Sequence, residues 1–140
     1  TDSIVGFPGE TDEQFRETLD LMEAIKFNSA FTFKYSPRPY TKAEQFSEQI
    51  TEDIKKARLD EMLILQRQHT LELNQEMVGT FQQVLIEKES KKSNLHWAGR
   101  TDSNEWVIIE KNNSNIKDIV PVQISSATGV ILHGKEITGA

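Results

Sequence analysis

Near its beginning the sequence contains Ser3-Ile4-Val5-Gly6-Phe7-Pro8-Gly9-Glu10-Thr11, an apolar run followed by a turn that contains glycine and proline. This order predicts a β-strand that ends in a tight turn. Thr11 and Gln14 have the spacing of a capping box, so a helix is predicted to begin at the turn. Ala30-Phe31-Thr32-Phe33-Lys34-Tyr35 then predicts a second strand. Strand, helix and strand in this order form a βαβ unit, which implies a parallel sheet.

A second, longer helix is predicted from Thr51 to Gly79, where glycine is a natural C-cap residue. Its apolar stripe is interrupted only by Gln66 and Thr70 and consists of Leu59, Met62, Leu63, Leu73 and Met77. One βαβ unit cannot cover both faces of a parallel sheet, so this α/β part is expected to need neighbours.

After Gly79 the pattern changes to short β-type runs at 81–86, 106–109, 120–124 and 130–132, separated by polar loops. Such spacing predicts a small antiparallel β-barrel. Pro121 within one run predicts an edge strand or the start of a strand. The predicted fold is therefore α/β plus all-β, with an α/β domain over residues 1–78 and a β-barrel over residues 79–140.

The 140 residues contain no cysteine, which excludes disulfides and cysteine-held metal clusters in this chain. The net charge of −6 lies entirely within residues 1–78, and residues 79–140 are neutral. An acidic chain does not coat nucleic acid by bulk charge, so any RNA contact must come from a local patch. Neither a membrane-spanning run nor a secretory signal is visible, and a cytoplasmic protein is expected.

Two adjacent strand ends are candidate ligand-binding loops, because ligands of α/β proteins bind where parallel strands end. The first is the Gly6–Thr11 turn, whose glycines allow close approach to the backbone, and the second is Tyr35-Ser36-Pro37-Arg38-Pro39. The alternatives are a tight turn in which Gly9 supplies an unusual backbone angle, and a rigid proline turn with a solvated Arg38.

A second candidate site lies in the β-rich half, where cationic and aromatic residues precede Thr101-Asp102-Ser103-Asn104: Lys91, Lys92, His96, Trp97 and Arg100. Such residues suit phosphate contact and base stacking on a β-barrel. The alternative is a polar hairpin loop with a half-buried Trp97. The three histidines, His69, His96 and His133, are too scattered in sequence to indicate a metal site, and the acidic run 44–61 is interpreted as a solvated helix face.

Several of these segments resemble the radical-SAM methylthiotransferases, in order along nearly the whole chain. Residues 1–11 are similar to a late strand and turn of their catalytic barrel, and residues 30–39 to the next strand, in the form found in the MiaB branch that acts on tRNA. Residues 73–75 and 78–79 are similar to the family's domain junction, and residues 90–92 and 99–104 to its TRAM domain, an RNA-binding β-barrel. One departure is Tyr40-Thr41-Lys42, where the family usually has Gly-Thr-Pro.

The resemblance implies the end of a radical-SAM barrel followed by a TRAM domain, with the cluster-binding domains expected upstream of Thr1. The parent enzyme would use S-adenosylmethionine and two [4Fe–4S] clusters to methylthiolate an isopentenyl-type adenosine beside the anticodon. Its cofactor-binding residues would be Gly6, Phe7, Pro8, Gly9, Glu10, Tyr35, Ser36 and Arg38. The anticodon stem-loop of tRNA would contact Lys91, Lys92, Arg100, Thr101 and Asn104.

This chain alone would be inactive, because it has no cysteine. Two other interpretations of the sequence remain: a stand-alone RNA-binding module, and a protein-interaction domain with no RNA role.

Overall fold

The computed structural model describes residues 1–137, which divide into two compact units at Thr70 and Leu71. The first unit contains strand β1 (Asp2–Val5), helix α1 (Asp12–Ile25), strand β2 (Phe31–Lys34), a short 3-10 helix (Ala43–Gln45) and most of helix α2 (Glu52–Glu76). The second contains the last residues of α2 and five strands: β3 (Phe81–Ser90), β4 (Ser93–Thr101), β5 (Trp106–Glu110), β6 (Ile119–Ala127) and β7 (Leu132–Glu136). No helix in the described range is long and apolar enough to cross a membrane.

The first unit has the predicted βαβ arrangement. Strands β1 and β2 pair in parallel, from Asp2 opposite Phe31 to Val5 opposite Lys34. Helix α1 begins as predicted, because the Thr11 side chain accepts from the Gln14 N–H and the Gln14 side chain accepts from the Thr11 N–H. The unit's buried apolar cluster joins the sheet to both helices and consists of Val5, Phe15, Leu19, Met22 and Met62.

One face of this two-stranded sheet is uncovered by the described residues. Ile4, Phe31 and Phe33 are all more than half exposed. Because exposed aromatic and branched side chains gain stability when they are buried, this face favours contact with further apolar structure.

Helix α2 buries a more polar face than its apolar stripe indicated. Its buried residues are Lys55, Arg58, Met62, Gln66, His69 and Asn74. Gln66, expected as an interruption, donates from Nε2 to the Phe27 carbonyl oxygen at 2.6 Å. A buried polar group is tolerated when it finds such a partner, so polar side chains occupy a face that periodicity assigned to apolar ones.

The second unit is a closed barrel with strand order β3-β4-β5-β7-β6. Alternate residues of the strands fill its core: Val84, Ile86, Val107, Ile109, Val120, Val122, Ile124 and Leu132. The predicted all-antiparallel barrel is wrong in one pair, since β5 and β7 run parallel, with Val107 opposite Leu132. Pro121 lies third in β6, close to the strand's beginning as predicted.

Two strand predictions need correction. Residues 93–101, which were predicted to be a loop region, form β4, which pairs with both β3 and β5. Of its inward positions, Trp97 is apolar, but Gly99 and Thr101 are small or polar, so the strand has no apolar alternation in its sequence. The last strand begins at Leu132, and Val130 lies in the preceding loop, where its side chain is exposed.

Candidate cofactor cavity and nucleic-acid interface

In the turn between β1 and α1, the backbone amides of two glycines donate hydrogen bonds within the chain. The Gly6 N–H donates to Glu10 Oε1 at 3.0 Å and the Gly9 N–H donates to the Glu48 carbonyl oxygen at 2.8 Å. Both glycines have positive φ, +72° and +84°, which other residues adopt only at a cost. A Cβ atom at Gly6 would also overlap the Lys55 side chain. These two glycines therefore shape the turn, and their amides already have partners within the chain.

Glu10 lies at the centre of an ion-pair network. Its Oε1 accepts from Arg58 Nη1 at 2.6 Å, and Arg58 Nη2 donates to Asp12 Oδ1 at the same distance. Glu10 is 13% exposed and Asp12 is 90% exposed. Burial opposes the charge on Arg58, but the hydrogen bonds to Asp12 and Glu10 outweigh it and raise the pKa of Arg58 above its ordinary value. Glu10 thus holds the turn against α2.

A cavity of about 620 Å³ opens beside this turn, where the loops after β1 and β2 meet. Its lining is largely apolar and aromatic and consists of Ile4, Phe7, Phe33, Lys34, Tyr35, Ser36, Arg38, Thr41 and Ala43. Four of the eight predicted cofactor residues line it: Phe7, Tyr35, Ser36 and Arg38. The other four, Gly6, Pro8, Gly9 and Glu10, form the adjoining turn and do not line the cavity.

Aromatic contacts order the wall of this cavity. The rings of Phe7 and Tyr35 meet edge to face with centroids 5.3 Å apart, and Phe46 contacts Phe7 in the same way at 6.3 Å. The Tyr35 hydroxyl is buried and has no hydrogen-bond partner among the described residues. A buried hydroxyl without a partner is rare, which distinguishes Tyr35 among the residues that line the cavity.

Lys55 is a cavity neighbour that the sequence analysis missed. It is almost fully buried; its ammonium group lies 5.4 Å from the Tyr35 ring centroid and donates to Glu52 Oε1 at 3.1 Å. The sequence held a signal for it, because Lys55, Arg58 and Met62 share one helix face. No group of three or more histidine, aspartate or glutamate side chains within residues 1–137 could hold a metal ion.

In the second unit, three of the five predicted RNA contacts cluster at the turn between β4 and β5. Arg100 donates from Nε to Glu87 Oε1 at 2.7 Å and from Nη1 to Asn104 Oδ1 at 2.8 Å. Asn104 has φ +75°, and the Thr101 hydroxyl is buried and donates to Glu105 Oε2 at 2.5 Å. Thr101 and Asn104 therefore form the turn itself. The hydrogen bond to Glu87 raises the pKa of Arg100.

The other two predicted contacts, Lys91 and Lys92, lie in the turn between β3 and β4, at the rim of a groove of about 570 Å³. This groove on the barrel is lined by Lys88, Ser90, Lys91, Lys92, Ser93, His96, Ala98, Trp106, Ile108, Thr128, Val130, Ile131 and His133. Sequence reasoning missed Trp106 and His133 because only strand pairing brings them to Lys91 and Lys92, and it missed Lys88 although that residue lies only three positions before Lys91. It also treated His96 and His133 as distant, whereas both line the groove.

Trp97 and Trp106 have different environments. Trp97 is half-buried, as one interpretation of the sequence expected; it packs on the barrel core and donates from Nε1 to the Ser114 carbonyl oxygen at 3.2 Å. Trp106 lines the groove, and its ring centroid lies 4.3 Å from Lys88 Nζ and 5.0 Å from Arg100 Cζ. Trp106 therefore lies beside Arg100 and lines the same groove as Lys91 and Lys92.

The barrel unit has a recognisable class. Residues 75–136 match the TRAM domain family, a range that runs from the end of α2 to the end of β7. The match confirms the TRAM domain that the sequence motifs indicated in this part of the chain.

The whole chain is similar to tRNA-2-methylthio-N(6)-dimethylallyladenosine synthases. It is 44% identical to the synthase of Christiangramia forsetii over 137 residues, which is 97% of this chain and 28% of that protein. It is 45% identical over 134 residues to the synthase of Geotalea uraniireducens, covering 96% of this chain and 30% of the relative. The chain thus spans about 30% of the length of these curated relatives, and the resemblance to tRNA methylthiotransferases is confirmed over nearly all of it.

Proposed function

We propose that this chain is the C-terminal part of a tRNA-2-methylthio-adenosine synthase, in which it contributes RNA binding and the last strands of the catalytic barrel. The observation that carries the proposal is the 44–45% identity to two such synthases over nearly the whole chain. Residues 1–78 would be the barrel portion with its connecting helix, and residues 79–140 the RNA-binding portion. The uncovered apolar face of β1 and β2 fits a parallel sheet whose second face is covered by further parts of such a protein.

The cavity residues Phe7, Tyr35, Ser36 and Arg38 would hold S-adenosylmethionine. The aromatic wall suits an adenine ring, and the Arg38 guanidinium suits a carboxylate. The unpartnered Tyr35 hydroxyl offers a further polar contact. S-Adenosylmethionine and the iron–sulfur clusters supply the radical chemistry when bound, while this chain positions and shields the reacting group. Because the chain has no cysteine, the clusters of the whole enzyme would be held by cysteines elsewhere in that enzyme.

The RNA role of this chain would rest on the cations Lys91, Lys92 and Arg100. Among the described residues the ammonium groups of Lys91 and Lys92 have no ion pair, whereas Arg100 pairs with Glu87 and Lys111 pairs with Glu89. Unpaired cations at a groove rim in a neutral domain are placed to bind phosphates. The anticodon stem-loop of tRNA is the proposed ligand.

A salt titration tests the RNA role. A labelled anticodon stem-loop should bind more weakly as salt rises, and the double variant Lys91→Ala and Lys92→Ala should lower the slope of log K against log salt by about 1.4 to 1.8. Lys135 is an exposed cation outside the groove, so the variant Lys135→Ala should leave the slope unchanged. No binding of the stem-loop at low salt would refute the RNA role and leave a protein-interaction domain as the better explanation.

Arg100 needs its own comparison because it also holds the β4–β5 turn. Arg100→Ala should weaken stem-loop binding about tenfold. Glu87→Gln removes the carboxylate that competes for Arg100, so it should retain or strengthen binding. If both variants weaken RNA binding equally, Arg100 acts by holding the turn and does not contact RNA.

A further inference from the structure

The groove on the barrel has a cross-strand order that the sequence does not show. Lys88 pairs with Ala98, Ala98 with Ile108 and Ile108 with His133, so these four residues form one row across β3, β4, β5 and β7. The neighbouring pair on β4 and β5 is Arg100 with Trp106. Residues next to these along the strands, such as Val107 and Ile109, are buried in the core. The row therefore lies on the outer surface of the barrel.

The groove has an apolar floor and a cationic lining around it. Its floor is apolar, with Ala98, Ile108 and Ile131, and Val130 stands exposed at one side. Lys88, Lys91 and Lys92 lie along the lining, and none of the described residues in the lining is acidic. A phosphate alone would make no favourable contact with the apolar floor, and an apolar peptide would leave the cations without a partner. A nucleobase with its flanking phosphates uses both.

The contacts of Lys88 explain how a base would reach the Trp106 ring in the groove. Its ammonium group contacts the Trp106 ring and has no carboxylate partner among the described residues. The nearby carboxylates are engaged elsewhere, Glu87 with Arg100 and Glu89 with Lys111. Lys88 can therefore exchange its contact with the indole for a phosphate, while a base takes its place on the ring. Arg100, held by Glu87 and Asn104, keeps its position beside the indole.

From this arrangement we infer that the groove binds one unpaired nucleotide of RNA, whose base stacks on Trp106 over the Ala98–Ile108 floor and whose phosphates contact Lys88, Lys91 and Lys92. The inference rests on the proposed RNA role and adds to it. It assigns recognition to an unpaired nucleotide. A duplex cannot supply such a nucleotide, because its bases remain stacked on each other.

Trp106 itself supplies the readout. In the variant Trp97→Phe, Trp106 is the only tryptophan of the chain. Titration of this variant with single-stranded hexa-adenylate should quench its fluorescence saturably, and an RNA duplex of equal length should not. Anisotropy of the labelled oligonucleotide reports binding independently of the fluorescence of Trp106.

Substitutions of Trp106 and Lys88, each with a control variant, make the test specific. Trp106→Leu should weaken hexa-adenylate binding about tenfold or more, whereas Trp106→Phe, which keeps an aromatic face, should bind nearly as the unaltered chain does. Lys88→Met should lower the single-strand salt slope by about 0.7, and Lys135→Met should not change it. Because Trp106→Phe controls for folding, a loss in the leucine variant alone reports on stacking.

The outcomes separate the two proposals. Binding of hexa-adenylate without quenching, and with equal affinity for the Trp106→Leu variant, would overturn the groove assignment and leave the RNA role intact. Equal quenching by the duplex would overturn the requirement for an unpaired base. Failure of every RNA, including the anticodon stem-loop, to bind at low salt would refute the RNA role and the groove assignment together.

Discussion

At the scale of single residues, Arg58 joins two carboxylates that differ mainly in burial. Glu10 is largely buried and Asp12 is exposed, yet both accept from the same guanidinium at 2.6 Å. An ion pair screened by water contributes little to stability, whereas loss of one partner of a buried pair leaves a desolvated charge. The two positions therefore form a matched pair for measuring what burial adds.

Glu10→Gln should lower the free energy of unfolding of the first unit by about 2–3 kcal/mol, because glutamine can still accept from the Gly6 N–H but no longer neutralises Arg58. Asp12→Asn should cost less than about 1 kcal/mol. Urea unfolding followed by circular dichroism measures both. Equal effects of the two substitutions would mean that Glu10 is effectively solvated, which would return it to the candidates for ligand binding.

At the scale of elements, β4 shows why the barrel was harder to predict than the βαβ unit. The capping box at Thr11 and Gln14 is a local signal, so α1 was predicted correctly from spacing alone. Strand β4 has Gly99 and Thr101 at inward positions, and what makes it a strand is pairing with β3 and β5. The groove residues Trp106 and His133 were missed for the same reason, since strand register decides which distant residues meet.

Gly99 provides a test of how closely β4 approaches β3. A Cβ atom there would overlap the Leu85 carbonyl oxygen, so Gly99→Ala should lower the free energy of unfolding of the barrel by about 1–3 kcal/mol. Gly79, with φ +87° and open space around it, is the control: Gly79→Ala should cost only about 1 kcal/mol, from backbone strain. Thermal unfolding compares them. A smaller loss at Gly99 than at Gly79 would show that β3 and β4 can separate without cost.

At the scale of the whole molecule, the contact division at Thr70 and Leu71 differs from the boundary predicted at Gly79. Side chains of the intervening residues explain the difference. Asn74 donates from Nδ2 to the Thr128 carbonyl oxygen at 2.8 Å, and Met77 packs against the barrel core. The apolar stripe includes Met77, but it gave no hint of the Asn74 contact, because Asn74 is polar. The last turns of α2 are thus part of the barrel unit.

A chain that begins at Leu71 should therefore melt at a higher temperature than one that begins at Gly79, since the shorter chain loses both contacts. The loss of one buried hydrogen bond and of the Met77 packing amounts to about 2–4 kcal/mol. Differential scanning calorimetry of the two chains measures it, and Asn74→Ala in the longer chain isolates the hydrogen bond. Identical melting temperatures would instead support the boundary predicted at Gly79.

The strand order of the barrel also sets the sequence of events in its folding. Strands β3, β4 and β5 pair with their neighbours in the chain, but closure needs Phe81 opposite Gln123 and the parallel contact of β5 with β7. Such non-local pairs form slowly, because a long loop must close first. During synthesis at about 5–20 residues per second, the three-stranded meander would wait roughly one to five seconds for β6 and β7. For that interval both its edges can pair with another nascent chain, so aggregation competes with barrel closure.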